Sequence, residues 1–497
     1  MAIAKLLGIE TEYGITSGSP DVDPITLSTL LVNAYASGLR HHISWDFDDE
    51  SPDRDQRGAA RPGSMPPAVE THLANAVLTN GARFYVDHAH PEYSSPECST
   101  PLEAVRYDAA GEEVLRRAMT AAWDRYPDAP KIIVYKNNSD AKGNSYGTHE
   151  NFLLAREIPF TEVVRGILPH LVTRQLFAGA GKVGAETASF DVAPAFQISQ
   201  RAEFIEALVG LETTLKRPLV NTRDEPHADP SRFRRLHLIL GDANRSQVAT
   251  FLKLGTTALL LAMIEDGALV IDGLTLADPV AAVRAISADP DLTETVELAD
   301  GRRARPLEIQ IALLEAVTKY VEADGGIAVG SEEEAQLVIE HWSTALDGLG
   351  SDPDSLATTV DWIAKRRLLT AYADRHELSL TDPKLRAMDL QYHDLRPDRS
   401  LADRLGLDTL VPEEEILRSV EDPPLTTRAW FRGMCLKRFP DEVVTANWDS
   451  LVFDLGIDPL RRIPMMDPLR GTADRTGQLL DEVRSAKELV ERLERAE

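Results

Sequence analysis

Acidic and phenolic side chains recur at alternating positions in two segments near the amino terminus. Glu10 and Glu12 are two residues apart in the segment IETE, Tyr85 and Asp87 are two apart in RFYVD, and Glu92 follows shortly after. Side chains of a β-strand alternate between its two faces, so each pair shares a face if its segment is a strand. Magnesium is usually held by carboxylate oxygens together with substrate phosphates. The spacing therefore fits a site for Mg²⁺ and phosphate, although exposed acidic residues on the wet face of an antiparallel sheet give the same pattern.

Basic side chains and histidines could serve the same site. Arg83 is two residues before Tyr85 and shares its face of the predicted strand, where a guanidinium suits a bound phosphate. His149 and Glu150 lie in the polar segment 136–152, which is predicted as a loop and could coordinate a metal or orient a substrate. The segment RFRRLH (232–237) carries three arginines, which either bind phosphate or carboxylate groups or form ordinary ion pairs.

Strands and helices with clear periodicity must position these residues. An opening strand is predicted over 3–16, and a turn at Asn80-Gly81 leads into a strand whose Phe84 and Val86 face the core. Helical stretches dominate from 283 to 400. The other predicted elements are strands at 131–135, 234–242 and 450–455, and helices at 103–126, 203–211, 246–265, 307–323, 332–349 and 478–495.

Two segments interrupt this pattern. The segment 45–67 is dense in Asp, Arg, Gly and Pro and is predicted as a mobile loop, which is either a plain surface loop or a lid. Pro423-Pro424 is predicted as the boundary between a domain of residues 1–424 and a small domain of residues 425–497.

Composition and charge exclude several classes of protein. The chain has 497 residues, and its net charge of −27 is the wrong sign for binding nucleic acid or an anionic membrane through a basic face. Its two cysteines exclude a disulfide framework and a four-thiolate zinc site, which fits a reducing cytoplasm. The most apolar segment, 256–264, is too short to cross a bilayer and is predicted as a core helix. The P-loop motif GxxxxGK[ST] and the zinc-protease motif HExxH do not occur in the sequence, and no GxGxxG motif follows a predicted strand. The residues alone indicate an acidic α+β protein.

Several long motifs together resemble one family. In order they are GIETEYGI (8–15), NGARFYVDHAHPEYSSPEC (80–98), YKNNSDAKGNSYGTHENFL (135–153), GLETTLKRPLVNTRDEPHAD (210–229) and RRLHLILGDAN (234–244). This set resembles the Pup ligase and depupylase family of glutamine-synthetase-like carboxylate-amine ligases, and the resemblance covers nearly the whole chain. Within the family, the form YVDHAHPEYSSPE (85–97), Tyr13 and the segment 45–67 resemble the depupylase branch more than the ligase branch.

The resemblance implies a fold, an activity and partners. The fold would be α+β, a glutamine-synthetase-like curved antiparallel sheet flanked by helices, with a small C-terminal domain. The activity would be hydrolysis of the isopeptide bond between the small protein Pup and substrate lysines, and deamidation of the C-terminal glutamine of Pup, with ATP and Mg²⁺ as cofactors. The partners would be Pup and pupylated proteins. A Pup ligase and a non-catalytic Pup-binding adaptor stay open as alternatives.

The resemblance also assigns roles to individual residues of this sequence. Asp87 would be the catalytic residue, as nucleophile or as base. The Mg²⁺ ligands would be Glu10, Tyr85 and Glu92, with His149 and His237 as further metal or phosphate candidates. Arg83 and Ser95 would lie near the nucleotide, Trp448 would contribute from the small domain, and Arg223 would bind phosphate or the carboxyl end of Pup.

Overall fold

A computed structural model describes residues 1–19, 22–40, 43–47, 50, 54–57, 74–323 and 325–496. Most of the segment 45–67, which is predicted as a mobile loop, lies outside these residues. The strands are β1 (Leu7–Glu12), β2 (Gly14–Thr16), β3 (Ser44–Trp45), β4 (Asn75–Val77), β5 (Arg83–Asp87), β6 (His90–Ser94), β7 (Ile133–Tyr135), β8 (Thr148–Ala155), β9 (Lys182–Val183), β10 (Phe196–Gln197), β11 (Ile205–Gly210), β12 (Arg217–Asn221), β13 (Phe233–Gly241), β14 (Val296–Glu297), β15 (Arg303–Ala304), β16 (Val443–Ala446), β17 (Ser450–Phe453) and β18 (Arg461–Pro464).

Helices make up much of the rest of the described chain. They are α1 (Pro24–Ala36), α2 (Pro101–Arg125), α3 (Phe160–Thr173), α4 (Gln175–Ala178), α5 (Gln247–Glu265), α6 (Pro279–Ser287), α7 (Pro306–Glu322), α8 (Glu332–Ser351), α9 (Asp361–His376), α10 (Pro383–Tyr392), α11 (Leu401–Leu405), α12 (Glu413–Ser419), α13 (Arg428–Arg438), α14 (Ala473–Glu482) and α15 (Ala486–Ala496). The prediction of an α+β fold is confirmed.

An eight-stranded sheet forms the centre of the fold. Its strand order is β11-β12-β13-β8-β1-β6-β5-β4. The β11–β12 pair is parallel, and the other neighbouring pairs are antiparallel. The predicted alternation on β5 is confirmed, because Phe84 and Val86 are buried in an apolar cluster with α1 and α2. The opposite face of β5 therefore carries Arg83, Tyr85 and Asp87.

The helix α5 is the core element behind the sheet. The residues of α5 after Gln247 are all buried, and they pack in one cluster with α3, α7 and α8. By length and composition α5 is the one described helix apolar enough to cross a membrane, but it lies inside the protein. The prediction that 256–264 is part of a core helix is confirmed.

A second, smaller sheet lies toward the carboxyl terminus. Its order is β18-β17-β16-β3, so a strand from the amino-terminal part of the chain pairs in parallel with β16. Helices α13, α14 and α15 cover it with an apolar cluster of their own. The division of the chain into domains at residue 424 stays a prediction.

Two predicted helices are wrong in detail. The segment 203–211 forms a short 3₁₀ turn and then the edge strand β11, because pairing with β12 overrides its helical pattern. The closing segment 478–495 is two helices, α14 and α15, rather than one. Val483 between them has an extended backbone and is buried, so the chain turns there while the same apolar face stays on the core.

Candidate active site

One face of the central sheet carries a row of acidic side chains across three adjacent strands. Glu12 on β1 pairs with Glu92 on β6, and Glu92 pairs with Tyr85 on β5. Two residues before Glu12 on β1, and on the same face, Glu10 pairs with His149 on β8. Side chains at paired positions of antiparallel strands lie about 5 Å apart, so the register itself brings these groups together. The two segments form strands as predicted, and their acidic residues lie on one face of the sheet, with β6 between β1 and β5.

Glu12, Asp87 and Glu92 form the first group, with carboxylate oxygens within 4.8 Å of one another. Glu92 accepts hydrogen bonds from the Tyr85 hydroxyl at 2.5 Å and the Ser94 hydroxyl at 3.0 Å. The Gly147 amide donates to Glu12 at 2.9 Å. Among the described residues, no cationic side chain pairs with Glu12 or Glu92 within 4.0 Å. Burial, and then the neighbouring carboxylates, raise the pKa of Glu92 well above its usual value.

Asp87 differs from the other two carboxylates of this group. It is the last residue of β5, and its side chain is 28% exposed. The ring Nδ1 of His88 lies 2.9 Å from its Oδ2. Burial is the largest single effect and would raise the pKa of Asp87, but the hydrogen bond to His88 and the charges of His88, His149 and Arg83 together outweigh it, so the pKa lies below its usual value. Asp87 is therefore ionised at neutral pH and open to a ligand.

Glu10, His149 and His237 form the second group, again with ligand atoms within 4.8 Å of one another. The Nδ1 atom of His149 lies 3.4 Å from Glu10. Burial opposes the charge of Glu10, yet the histidines and Arg235 hold the pKa of Glu10 well below its usual value. Burial, and then Arg235, lower the pKa of His237 well below its usual value, so its imidazole is neutral and free to act as a metal ligand.

The structure corrects the local setting of His149 and Glu150. Both were predicted in a loop, but both lie on β8, a strand paired on each side. Alternation separates them, because Glu150 points away from the site and pairs with the buried Arg174. Glu150 is therefore a core residue, whereas His149 belongs to the site.

The three arginines of 232–237 have three different roles. Arg232 pairs with Asp467 at the surface, and Arg234 bonds to the carbonyl of Ile158. Arg235 alone reaches the site, where its Nη1 lies 3.5 Å from Glu10. The sequence reasoning did not single out Arg235. The signal was available, since Arg235 and His237 are two apart on a strand and share a face.

Arg83 and the tryptophans form one wall of the site. The Arg83 guanidinium lies 4.1 Å from the ring centroid of Trp45 and 3.8 Å from that of Tyr85. Trp45 meets Trp448 edge to face, with ring centroids 5.3 Å apart. The small sheet thus contributes aromatic surface to the edge of the large one.

A cavity of about 90 Å³ lies beside the second group. Its lining includes Gly8, Ser95, Arg235 and Trp448. The Ser95 hydroxyl accepts from the Ile9 amide and donates to the Pro96 carbonyl, so Ser95 borders the cavity while its hydroxyl binds backbone. The cavity combines an aromatic wall with the guanidiniums of Arg235 and Arg428, which suits an aromatic or anionic part of a ligand.

Arg223 lies just beyond β12, near Arg235. Its positive charge helps to lower the pKa of His237, although burial is the largest cause. Its buried Nε has no hydrogen-bond partner among the described residues. An anionic ligand would supply that partner.

A larger cleft of about 740 Å³ opens on the other side of the first group. Glu12, Asp87 and His149 line its inner end, and Arg201 and Arg217 line its wall. The acidic row thus stands between a small cavity and a cleft large enough for a polypeptide end.

The fold and the site define an α+β protein whose sheet face gathers two groups of potential metal ligands between a small cavity and a larger cleft. The Pup-ligase protein family matches residues 5–452, and the chain belongs to that family.

The relatives of the chain include hydrolases and ligases. A depupylase from Acidothermus cellulolyticus is 49% identical over 98% of this chain and 98% of its own. A Pup deamidase/depupylase from Mycolicibacterium smegmatis is 49% identical over 98% and 99%. A Pup–protein ligase from Acidimicrobium ferrooxidans is 36% identical over 96% and 99%. The predicted family is confirmed.

A solved structure shares the fold. The crystal structure of the complex between prokaryotic ubiquitin-like protein Pup and its ligase PafA matches with a TM-score of 0.80 and 30% identity, over 96% of this chain and 91% of that one.

Proposed function

We propose that the protein is a depupylase and Pup deamidase that requires ATP and Mg²⁺. The observation that carries this proposal is the ionised, partly exposed Asp87 beside Glu12 and Glu92 at the inner end of the large cleft. The full-length identity of 49% to enzymes named depupylase, against 36% to a Pup–protein ligase, favours hydrolysis over ligation.

The donor set fits Mg²⁺. Glu12, Asp87 and Glu92 offer hard oxygen ligands in close proximity, and the raised pKa of Glu92 reflects a crowd of negative charge that a divalent cation would neutralise. Glu10, with His149 and His237, would hold a second cation. Tyr85 would contribute by orienting Glu92 through its 2.5 Å hydrogen bond.

The small cavity, at about 90 Å³, would hold only part of a nucleotide, and the rest would lie over the neighbouring sheet face. Trp448, Gly8 and Arg235 line the cavity, while Arg83 beside Tyr85 and Arg223 near Arg235 would meet the phosphates from outside it. Arginine is suited to phosphate because its donors form a planar fork. A related Pup ligase was solved in complex with ADP, which supports nucleotide binding in this family.

The residues of the chain perform hydrolysis at a side-chain amide. The bond attacked is the δ-amide of the C-terminal glutamine of Pup, or the isopeptide bond that replaces it in a conjugate. Asp87 either attacks the δ-carbonyl carbon itself or takes a proton from the attacking water, and its lowered pKa keeps it ionised for both roles. As a base, Asp87 passes that proton to the ammonia or lysine amine that leaves when the C–N bond breaks. As a nucleophile, Asp87 forms an anhydride while the leaving amine takes a proton from solvent, and water then hydrolyses the anhydride. Mg²⁺, if held by Glu12, Asp87 and Glu92, would supply positive charge near the δ-carbonyl oxygen, where negative charge develops. The net hydrolysis needs no energy input, so the nucleotide serves to complete the site.

Ammonia release from Pup that ends in glutamine tests the proposal. We expect release by the parent with ATP and Mg²⁺, a loss of at least about a hundredfold in Asp87→Asn, and no release after chelation. Asp23→Asn is a matched control, because Asp23 lines the same cleft and caps α1, which Asn does equally well.

Other outcomes favour the alternatives. Consumption of only glutamate-ending Pup, with ATP turnover and new conjugates, would identify a ligase. Binding of Pup without any turnover by the parent would identify an adaptor.

A further inference from the structure

Two arginines without acidic partners lie side by side on the wall of the large cleft. Arg201 donates to the Ser145 hydroxyl and the Tyr146 carbonyl, both at 2.8 Å, and to the Ile239 carbonyl at 2.7 Å. Arg217, the first residue of β12, donates to the Thr213 carbonyl at 2.9 Å and the Ser145 carbonyl at 2.8 Å. Ser145 therefore holds both guanidiniums in place.

No described carboxylate pairs directly with either arginine, although Glu12 and Asp242 act on Arg201, and Glu12 and Glu206 on Arg217, from a longer distance. By contrast, the buried Arg174 pairs with Glu150, and the buried Arg432 pairs with Glu97. Among the described residues, neither Arg201 nor Arg217 has a carboxylate oxygen within 4.0 Å. Arg201 is 1% exposed, and its Nε has no hydrogen-bond partner there.

Both arginines stay charged at neutral pH. Burial, and then the charge of Arg217, lower the pKa of Arg201 to about 10. Two adjacent, poorly solvated cations repel each other, and a bound anion would relieve that repulsion. The pair is thus built for an oxyanion.

The two arginines lie close enough to the first group, Glu12, Asp87 and Glu92, for one glutamine residue to bridge them. A single peptide unit joins them, because the Tyr146 carbonyl accepts from Arg201 and the Gly147 amide donates to Glu12 at 2.9 Å. A peptide unit keeps its O and N about 2 Å apart, so the Arg201 Nη1 lies within about 8 Å of the Glu12 carboxylate. In an extended glutamine, the δ-carbon and the α-carboxylate carbon are about 5 Å apart. A glutamine with its δ-amide beside Glu12 and Asp87 can place its α-carboxylate at the arginines.

We propose that Arg201 and Arg217 bind the free α-carboxylate of the C-terminal residue of the substrate and so restrict the reaction to a chain terminus. This inference rests on the proposed function and deepens it. An internal glutamine or glutamate has no α-carboxylate and leaves both arginines without an anion. Arg223 lies near Arg235, away from the large cleft, and is left to bind phosphate.

Paired substrates and variants test the proposal. The substrate is a synthetic Pup C-terminal segment joined through its terminal glutamate side chain to a lysine peptide, made with either a free α-carboxylate or an α-carboxamide. Release of the lysine peptide is followed by mass spectrometry. We expect the parent to prefer the carboxylate by roughly 10- to 100-fold in kcat/KM, as for a hydrogen bond to a charged group.

Arg217→Gln is the informative variant, because Arg201 also holds the Tyr146 and Ile239 carbonyls and its replacement would disturb folding. Arg217→Gln should lose most of the preference by slowing release from the carboxylate substrate alone, and Arg217→Lys should keep part of it. Arg386→Gln is the matched control, since Arg386 is an exposed arginine lining the same cleft, and its preference should equal that of the parent.

Three results would overturn the inference. The first is a parent that releases both substrates equally fast. The second is an Arg217→Gln variant that is slower by the same factor on both, which would mean that Arg217 only holds the cleft together. The third is a variant whose defect on both substrates is relieved by more ATP or inorganic phosphate, which would make the oxyanion a phosphate. A parent that releases neither substrate would instead contradict the proposed function.

Discussion

Removing the charge of Glu92 should stabilise the metal-free protein and weaken Mg²⁺ binding at the same time. Oxygens of Glu12 and Asp87 lie within 4.8 Å of those of Glu92, whose hydrogen bonds come only from neutral hydroxyls. At that distance and an effective dielectric constant of about 20, each pair of like charges costs about 3 kcal/mol. Partial protonation of Glu92 lowers this cost in the metal-free state. We therefore expect Glu92→Gln to raise the free energy of unfolding by about 1–2 kcal/mol without metal.

The assay compares urea unfolding in EDTA and in Mg²⁺, with Mg²⁺ affinity measured by calorimetric titration. Loss of one anionic ligand should weaken Mg²⁺ binding at least about tenfold. Glu97→Gln is the matched control, because Glu97 is bonded to Arg428 at 2.7 Å and to Arg432 at 2.6 Å. That variant leaves two buried guanidiniums without an anion and should lose about 3 kcal/mol with or without metal.

One combination of results would refute this reasoning. If metal-free Glu92→Gln is less stable than the metal-free parent and binds Mg²⁺ as tightly, Glu92 is an ordinary structural carboxylate and the first group is not a cation site.

Three further predictions concern stability and nucleotide binding. Burial opposes the charge of Glu97, yet Arg432 and Arg428 lower its pKa from 4.5 to about 2. The ionised Glu97 therefore stabilises the fold above about pH 4.5, and this stabilisation is lost as the pH falls toward 2. In urea unfolding at pH 2–5, the parent should lose about 3 kcal/mol of stability that Glu97→Gln does not lose. Trp448→Ala should raise the KM for ATP about tenfold in the deamidation assay while the KM for Pup stays within about twofold, because the aromatic wall of the small cavity is lost. Gly81 has a φ of +85°, and a Cβ there would meet the Ala429 Cβ at 3.0 Å; Gly81→Ala should cost about 1–2 kcal/mol of unfolding free energy, whereas Gly477→Ala, in an open helical position, should gain up to about 1 kcal/mol.

The strands that carry the acidic row could be predicted because their alternation is local. Phe84 and Val86 need the core, so Arg83, Tyr85 and Asp87 must face the other way. The same logic put Glu10 and Glu12 on one face. Spacing did not reveal which strands are neighbours, and the grouping of Glu12 with Asp87 and Glu92 follows from that order.

The errors come from elements whose structure depends on distant partners. The strand β8 begins inside a polar run that resembles a loop, and it is a strand because β1 and β13 pair with it on both sides. The strand β11 has a helical pattern but completes the edge of the sheet. Among the described residues, no carboxylate pairs directly with Arg201 or Arg217. This absence depends on how distant segments pack together, which spacing along the chain does not reveal.

The most direct test of the proposed function is mass spectrometry of a purified Pup-conjugated protein incubated with ATP and Mg²⁺, comparing the parent with Asp87→Asn. Release of free Pup and the unmodified protein by the parent, and not by Asp87→Asn, is the predicted result. If the conjugate stays intact while free Pup and protein become joined, the protein is a ligase, and the assignment of hydrolysis to the Asp87 site is contradicted.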